Sequence, residues 1–231
     1  MGIKKIIAFE SDHNGWKWSQ IKKIAELAEV LGLDVITTRG AVYREGKGKS
    51  KWDPDSPYWR KRMADYPLVD QMTKEERFEF EKENIIRLRR ELNIAINRHL
   101  IRTQKALLLI LDISEISGYF WLKKLYSSLN FTEYLNFTDS KGHKIDIIKP
   151  DVVFALQVSK EELLKRNELR SEQNSLRSKE RKKNIQYYHQ LFEETLEEVE
   201  GLFDICYIDG NRSKEEIFQE IKKKLKELWL I

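Results

Sequence analysis

The run Ile3-Lys4-Lys5-Ile6-Ile7-Ala8-Phe9, halted by Glu10, Ser11 and Asp12, opens the unit that decides the fold. A short Ile-rich segment closed off by polar residues has the pattern of a strand buried on both faces. Residues 19–31 follow with Ile21, Ile24, Leu27, Ala28 and Leu31 at three- and four-residue intervals, and with Lys22, Lys23, Glu26 and Glu29 between them. That spacing is an amphipathic helix, and Gly32 stands where such a helix ends. Residues 34–38, with Thr37 and Thr38, read as a second strand. Strand, loop, helix and strand at these lengths make a βαβ crossover, which joins parallel strands.

Working outward, residues 106–111 (Ala106-Leu107-Leu108-Leu109-Ile110-Leu111) form an unbroken apolar run that stops at Asp112, the signature of a central parallel strand. Residues 151–158 and 202–208 supply two more strands. Helices are expected over 73–100, opened by the capping pattern Thr73-Lys74-Glu75-Glu76, over 116–129, after Ser159-Lys160-Glu161-Glu162, over 187–199, and over 213–230 behind Ser213. Two stretches lack a period. Residues 40 to about 70 are rich in Gly, Lys, Pro, Trp and Tyr and read as an irregular insertion, and residues 130–149 are polar, with a turn at Gly142. The alternation predicts an α/β fold: an open, mainly parallel five-stranded sheet with helices on both faces, built as one domain over 1–231.

Composition narrows the function classes. At 41% hydrophobic and 35% charged, 231 residues suffice for a packed globular core. The net charge of +4 comes from 42 basic and 38 acidic side chains, well mixed, so charge alone does not imply nucleic acid. Cys206 is the sole cysteine, which excludes an intrachain disulfide and a multi-cysteine metal site. His13, His99, His143 and His189 are scattered without ligand spacing, so no metal site is assigned. The N-terminal apolar run is too short for a membrane span and has no small-residue cleavage site, and a cytoplasmic protein is expected.

Ligands of such sheets bind at the carboxyl ends of the strands, which directs attention to Phe9-Glu10-Ser11-Asp12-His13-Asn14-Gly15-Trp16-Lys17-Trp18-Ser19-Gln20. This loop resembles the thymidylate kinase pattern Phe-Glu-Gly-x-Asp-Gly-x-Gly-Lys-Thr/Ser-Thr-Gln, matching at Phe9, Glu10, Lys17, Ser19, Gln20, and then Ile21 and Lys22. Further on, Thr37-Thr38-Arg39-Gly40 is similar to the family's Thr-Arg-Glu-Pro-Gly segment. Asp112 and Ser117 fall on its Asp-Arg-Tyr-x-x-Ser motif. Pro150-Asp151 through Leu156, Val158, Glu161 and Arg166 resembles its fourth strand and following helix. Arg166, Arg170, Arg177 and Arg181 stand where the family has its lid, at about 166–183, and Tyr207-Ile208-Asp209-Gly210 where its adenine-side loop begins.

The resemblance implies a P-loop nucleoside monophosphate kinase, a homodimer that uses ATP and Mg²⁺ to phosphorylate dTMP or a related nucleotide. It implies catalytic roles for Lys17, Asp112, Arg166 and Arg170. Nucleotide binding would fall to Glu10, Asp12, Asn14, Gly15, Lys17, Ser19, Gln20, Arg39, Arg87, Arg90 and Ser117, with Arg89 on the same helical stretch as Arg87 and Arg90.

The departures bear directly on activity. Ser11 and Trp16 replace the two glycines that let backbone N–H groups close on a β-phosphate. Trp18 replaces the hydroxyl that ligates Mg²⁺, and Ile113 and Ser114 replace the Arg-Tyr of the acceptor motif. An indole at position 16 or 18 is expected to occupy or close over the β-phosphate space. Phosphoryl transfer is therefore expected to be weakened or lost. A non-catalytic nucleotide sensor, scaffold or partner subunit is the alternative. A second alternative is a nucleic-acid binder using Trp52, Tyr58 and Trp59 among Lys47, Lys49, Lys51, Arg60 and Lys61. The bland alternatives are a solvated Lys17 and a solvated arginine-rich helix face.

Overall fold

The computed structural model describes residues 4–11, 16–39, 42–45, 71–102, 106–112, 114–171 and 176–228. Among them six strands form one sheet: β1 (Lys4–Ser11), β2 (Asp34–Arg39), β3 (Val42–Glu45), β4 (Leu107–Leu111), β5 (Val152–Gln157) and β6 (Ile205–Asp209). Their order is β3-β2-β4-β1-β5-β6. The five strands placed by the apolar runs are all parallel. The sixth, β3, pairs antiparallel with β2 at the edge. It lies in the stretch without a period, because four residues whose definition comes from main-chain pairing are too few to show alternation. Residues 40, 41 and 46–70, the rest of that stretch, lie outside the described residues.

The helices are α1 (Lys17–Val30), α2 (Lys74–Arg102), α3 (Glu115–Leu125), α4 (Phe131–Leu135), α5 (Lys160–Ser171), α6 (Leu176–Val199) and α7 (Lys214–Glu227). Gly32 follows α1 in the left-handed region, φ 81°, which a glycine adopts without strain. The capping box that opens α2 is formed in both directions, Thr73 N to Glu76 Oε2 at 2.8 Å and Glu76 N to Thr73 Oγ1 at 3.2 Å. Helix α4 falls in the stretch read as irregular. At five residues it shows no period, and its stability comes from a capping box between Asn130 and Glu133 and from burial of Phe131 and Tyr134.

Strand β1 splits the core by its period of two. Ile6 and Ala8 face one layer with Leu107, Leu109 and Leu111, covered by α2, α3, α4 and α6. Ile7 and Phe9 face the other with Leu108 and Ile110, where Ile21 and Ile24 of α1 and Ile217 and Ile221 of α7 are fully buried. Each such isoleucine contributes about 1.5–3 kcal/mol by burial. Helices on both faces follow directly from this alternation.

The register then builds the site. Strands β1 and β4 are neighbours with Ala8 opposite Leu111, so Glu10 and Asp112 emerge together at the carboxyl edge. On the other side of β1, Ser11 is level with Leu156 of β5, and Gln157 with Asp209 of β6. Lys17, Asp112 and Gly210 thus come from three separate parts of the chain to one edge.

Candidate active site

Helix α1 begins at Lys17, whose ammonium reaches across to the end of β4. It donates to the main-chain oxygen of Asp112 at 2.5 Å and sits 3.3 Å from the Asp112 Oδ1. Glu10 turns inward behind this pair. It is buried, and its carboxylate accepts the Ser114 hydroxyl at 2.5 Å and the Ser117 hydroxyl. Burial pushes the Glu10 carboxyl above its ordinary value, opposed by the charge of Lys17 and by the two serine hydroxyls. The edge of the sheet therefore carries a cation between two buried acids, Asp112 beside the Lys17 ammonium and Glu10 locked into the fold.

Trp16 precedes Lys17 as the N-cap of α1. It is in the left-handed conformation, φ 58° and ψ 7°, and is the one described residue other than glycine with positive φ. A side chain with a Cβ held there costs about 1–2 kcal/mol. The indole packs against the α1/α7 layer of the core. Two cations cover it: the Arg166 guanidinium carbon at 4.7 Å and the Lys214 ammonium at 3.9 Å from the ring centre. Both lie within the range of cation–π attraction. Arg166 is itself buried and held by Glu162 Oε1 at 2.7 Å and the Gly210 carbonyl at 2.8 Å.

A second polar cluster lies under α3. Arg89 of α2 donates through Nε to both carboxylate oxygens of Glu115 at 3.0 Å and through Nη2 to Oε2 at 2.6 Å. Tyr134 donates its hydroxyl to the same Glu115 Oε2 at 2.8 Å, and its ring lies 4.9 Å from the Arg89 guanidinium. Burial works against the Arg89 charge, but Glu115 and Tyr134 outweigh it and hold the guanidinium above its ordinary value. Burial and Glu115 together push the Tyr134 phenol well up. These groups border a cavity of about 30 Å³, closed by Ile85, Leu88, Leu92 and Ile148. Gly118 makes room for the cluster, since a Cβ there would stand 2.4 Å from the Tyr134 hydroxyl.

The other sequence-predicted residues scatter in role. Ser19 donates its hydroxyl to the Trp16 carbonyl at 2.7 Å, and Gln20 is buried and donates to the Lys214 carbonyl at 3.0 Å, tying α1 to α7. Ser117 belongs to the Glu10 network. Arg90 pairs with Asp139 at 2.8 Å, whereas Arg87 has a buried Nη1 with no hydrogen-bond partner. Arg39 ends β2 and Arg170 lies in α5, with side chains outside the described set, as are those of Arg177 and Arg181 in α6. Asp12, Asn14, Gly15 and Ile113 lie outside the described residues. Ser114, Glu115, Tyr134 and Lys214 were not singled out as site residues from sequence. The one available signal was Glu115 behind Ser114, an acid in a helix's first turn. Among the described residues, no group of three or more His, Cys, Asp or Glu is placed to hold a metal ion, and no helix is long and apolar enough to cross a membrane.

A parallel α/β sheet with helices on both faces and a lysine-headed helix after its first strand defines a P-loop NTPase-like protein. A model of the family "Thymidylate kinase" matches residues 69–221, more than half of the chain, and the chain belongs to that family. Among solved structures, thymidylate kinase from Ehrlichia chaffeensis has the same fold, with a TM-score of 0.55 and 16% sequence identity over 96% of this chain and 99% of that one. A comparison with curated proteins finds no match. The family match begins after the phosphate-loop segment, so Glu10, Trp16 and Lys17 stand outside it.

Proposed function

We propose that this thymidylate kinase family protein binds a nucleotide at the carboxyl edge of its sheet, and that phosphoryl transfer from ATP to dTMP or a related nucleoside monophosphate is weak or absent. The observation that carries the reading is Trp16, a strained aromatic directly before Lys17, where phosphate contact calls for a residue without a side chain. Binding is supported by Lys17, at the head of α1, and Asp112, just past the end of β4, which stand together at the carboxyl edge of the sheet. An ATP phosphate could take the place of the Asp112 oxygens on Lys17 without disturbing the Glu10 network.

The donors at the head of α1 do not suit Mg²⁺. Trp18 offers no oxygen, the Ser19 hydroxyl is bonded to the Trp16 carbonyl, and both Glu10 carboxylate oxygens accept from serines. On the acceptor side two arginines already have carboxylate partners, although Arg87 Nη1 and Arg89 Nη1 are buried without a hydrogen-bond partner. Glu115 neutralises Arg89 and Asp139 pairs with Arg90. A dTMP phosphate drawn to Arg89 would have to displace a carboxylate held by three hydrogen bonds from Arg89 and one from Tyr134. The lid role for residues 166–183 belongs to the same proposal, with Arg166 as its one described arginine side chain.

A nucleotide thermal-shift series with and without Mg²⁺ tests the binding half. ATP at a hundred times its Kd adds about 2.7 kcal/mol of stability, which is a midpoint rise of about 5–10 °C for a chain of this size. The reading expects such a rise with ATP, and expects it to be independent of Mg²⁺. A rise that requires Mg²⁺ would restore a metal-dependent kinase site, and no rise with any nucleotide would remove nucleotide binding.

A further inference from the structure

Strand β6 forms one edge of the sheet, on the opposite side from β3. Its pairing with β5 fixes which main-chain groups are used. The Asp204 carbonyl accepts from Val153 N at 2.8 Å, and Gly210 N donates to the Gln157 carbonyl at 2.6 Å. Along a strand such groups alternate from side to side. Asp204, Cys206, Ile208 and Gly210 therefore bond towards β5, while Ile205, Tyr207 and Asp209 turn their N–H groups towards the open edge. Among the described residues no strand pairs there, and the Ile205 and Tyr207 main chains have no hydrogen-bond partner. Folds blunt such an edge with charges, proline or a bulge. Strand β3 carries Arg44 and Glu45, whereas Ile205-Cys206-Tyr207-Ile208 carries neither charge nor proline.

The flank of this edge is acidic. Ile205 packs into the layer that holds α6, and the period of two puts Tyr207 on the same face. Tyr207 is 39% exposed, and its phenol is pushed up by burial and then by the charges of Glu200 and Glu197, at the end of α6. Glu197, Glu200 and Asp204 are exposed and have no ion pair among the described residues. The cations nearby are engaged: Arg212 with Asp209 and Glu220, Lys224 with Glu227, and Lys149 over the Phe203 ring at 5.9 Å. A second copy of β6 would set these acids against their own equivalents, which is unfavourable across a strand pair.

We propose that the open edge of β6 docks an extended, basic segment of a partner polypeptide, which adds a strand to the sheet and places Lys or Arg at alternate positions towards α6. Main-chain bonds to Ile205 and Tyr207 supply affinity, and the acidic flank supplies the choice of partner. A cation opposite Tyr207 meets both the ring face and the carboxylates of Glu197 and Glu200. This docking does not rest on the nucleotide reading, because Lys17 and Asp112 lie beyond β5 in the sheet.

The probe is a fluorescein-labelled, end-blocked peptide of alternating Lys and Val, titrated with the full chain at low salt and read by anisotropy. Its controls are the same peptide with Glu for Lys, and one N-methylated on alternate amides so that it cannot pair as a strand. The expected result is saturable binding of the basic peptide with a Kd of about 100 μM or below, weakened at least about tenfold by N-methylation. Tyr207→Pro should weaken it as much, since proline removes a donor aimed at the open edge and leaves the β5 ladder intact. So should the double variant Glu197→Gln/Glu200→Gln, whose changes are exposed. Circular dichroism checks folding, and if Tyr207→Pro does not fold, the double variant and the N-methylated peptide decide. No saturable binding, equal binding of the Glu peptide, or unchanged binding of the N-methylated peptide would each overturn the proposal. Self-association in sedimentation that Tyr207→Pro abolishes would make a second copy the occupant and overturn it as well.

Discussion

Arg89→Met removes one half of the buried pair under α3 and leaves the other. The Glu115 side chain is 8% exposed and that of Arg89 is 2% exposed. Without Arg89, Glu115 keeps only the Tyr134 hydroxyl and the cavity beside it. An uncompensated charge at that depth costs about 3–5 kcal/mol. For a chain of this length about 2–4 °C of midpoint accompanies each kcal/mol, so the variant should melt about 6–20 °C below wild type. Replacing Glu115 with Leu as well removes the stranded charge but orphans the Tyr134 hydroxyl, at about 1–3 kcal/mol. Adding Tyr134→Phe removes that last unsatisfied group. The triple variant should recover to within about 1 kcal/mol of wild type or exceed it. Equilibrium urea unfolding at neutral pH measures the series. Additive single-variant losses, or a loss below about 1 kcal/mol for Arg89→Met, would refute a buried and coupled network.

Glu10 should give the protein a distinct pH response. Its folded value lies above the unfolded one, so the stability that Glu10 contributes is fully present below the ordinary carboxylate value near 4.5 and is lost as pH rises through the raised folded value. The stability difference between wild type and Glu10→Gln, read from melts at successive pH values, should therefore shift towards Glu10→Gln as pH rises above that starting point; a flat difference would count against the burial of this carboxyl. Gly118→Ala should cost about 1–3 kcal/mol, because the new methyl meets the hydroxyl of a Tyr134 fixed by Glu115 and by its own burial. Its unfolding midpoint checks this, and Gly118→Ala combined with Tyr134→Phe should recover part of the loss.

The fold was legible wherever burial on both sides of a strand left an unbroken apolar run. Leu107–Leu111 and Val152–Gln157 stand out for that reason, and the period of Ile21, Ile24 and Ala28 turns the same logic into a helix. Helix α4 was not legible by period, although Asn130 and Glu133 spell its capping box. Lys17 and Asp112 could be paired from sequence because each ends or follows a strand, and parallel neighbours bring such ends together. The Arg89–Glu115–Tyr134 cluster could not. Its members come from three helices, and each alone looks like an ordinary solvated or core residue. The departure at Trp16 was visible, but not its partners, since Arg166 and Lys214 are far along the chain and meet it only through the β5 and β6 ends. Arg166 read as a lid arginine from its place in the motif, but its contacts to Glu162 and Gly210 were not legible.

Catalysis is the central claim, and one rate decides it. Removing a single preorganised contact to a developing charge lowers turnover by about 100- to 1,000-fold. On the proposed reading, Trp16, Trp18 and Ile113 each stand in place of a group of that kind. A coupled ADP-release assay with saturating ATP, Mg²⁺ and a panel of nucleoside monophosphates including dTMP reads the outcome directly. The account predicts turnover far below about 1 s⁻¹ with every acceptor; turnover of about 1 s⁻¹ or faster, the ordinary range for kinases, would contradict it.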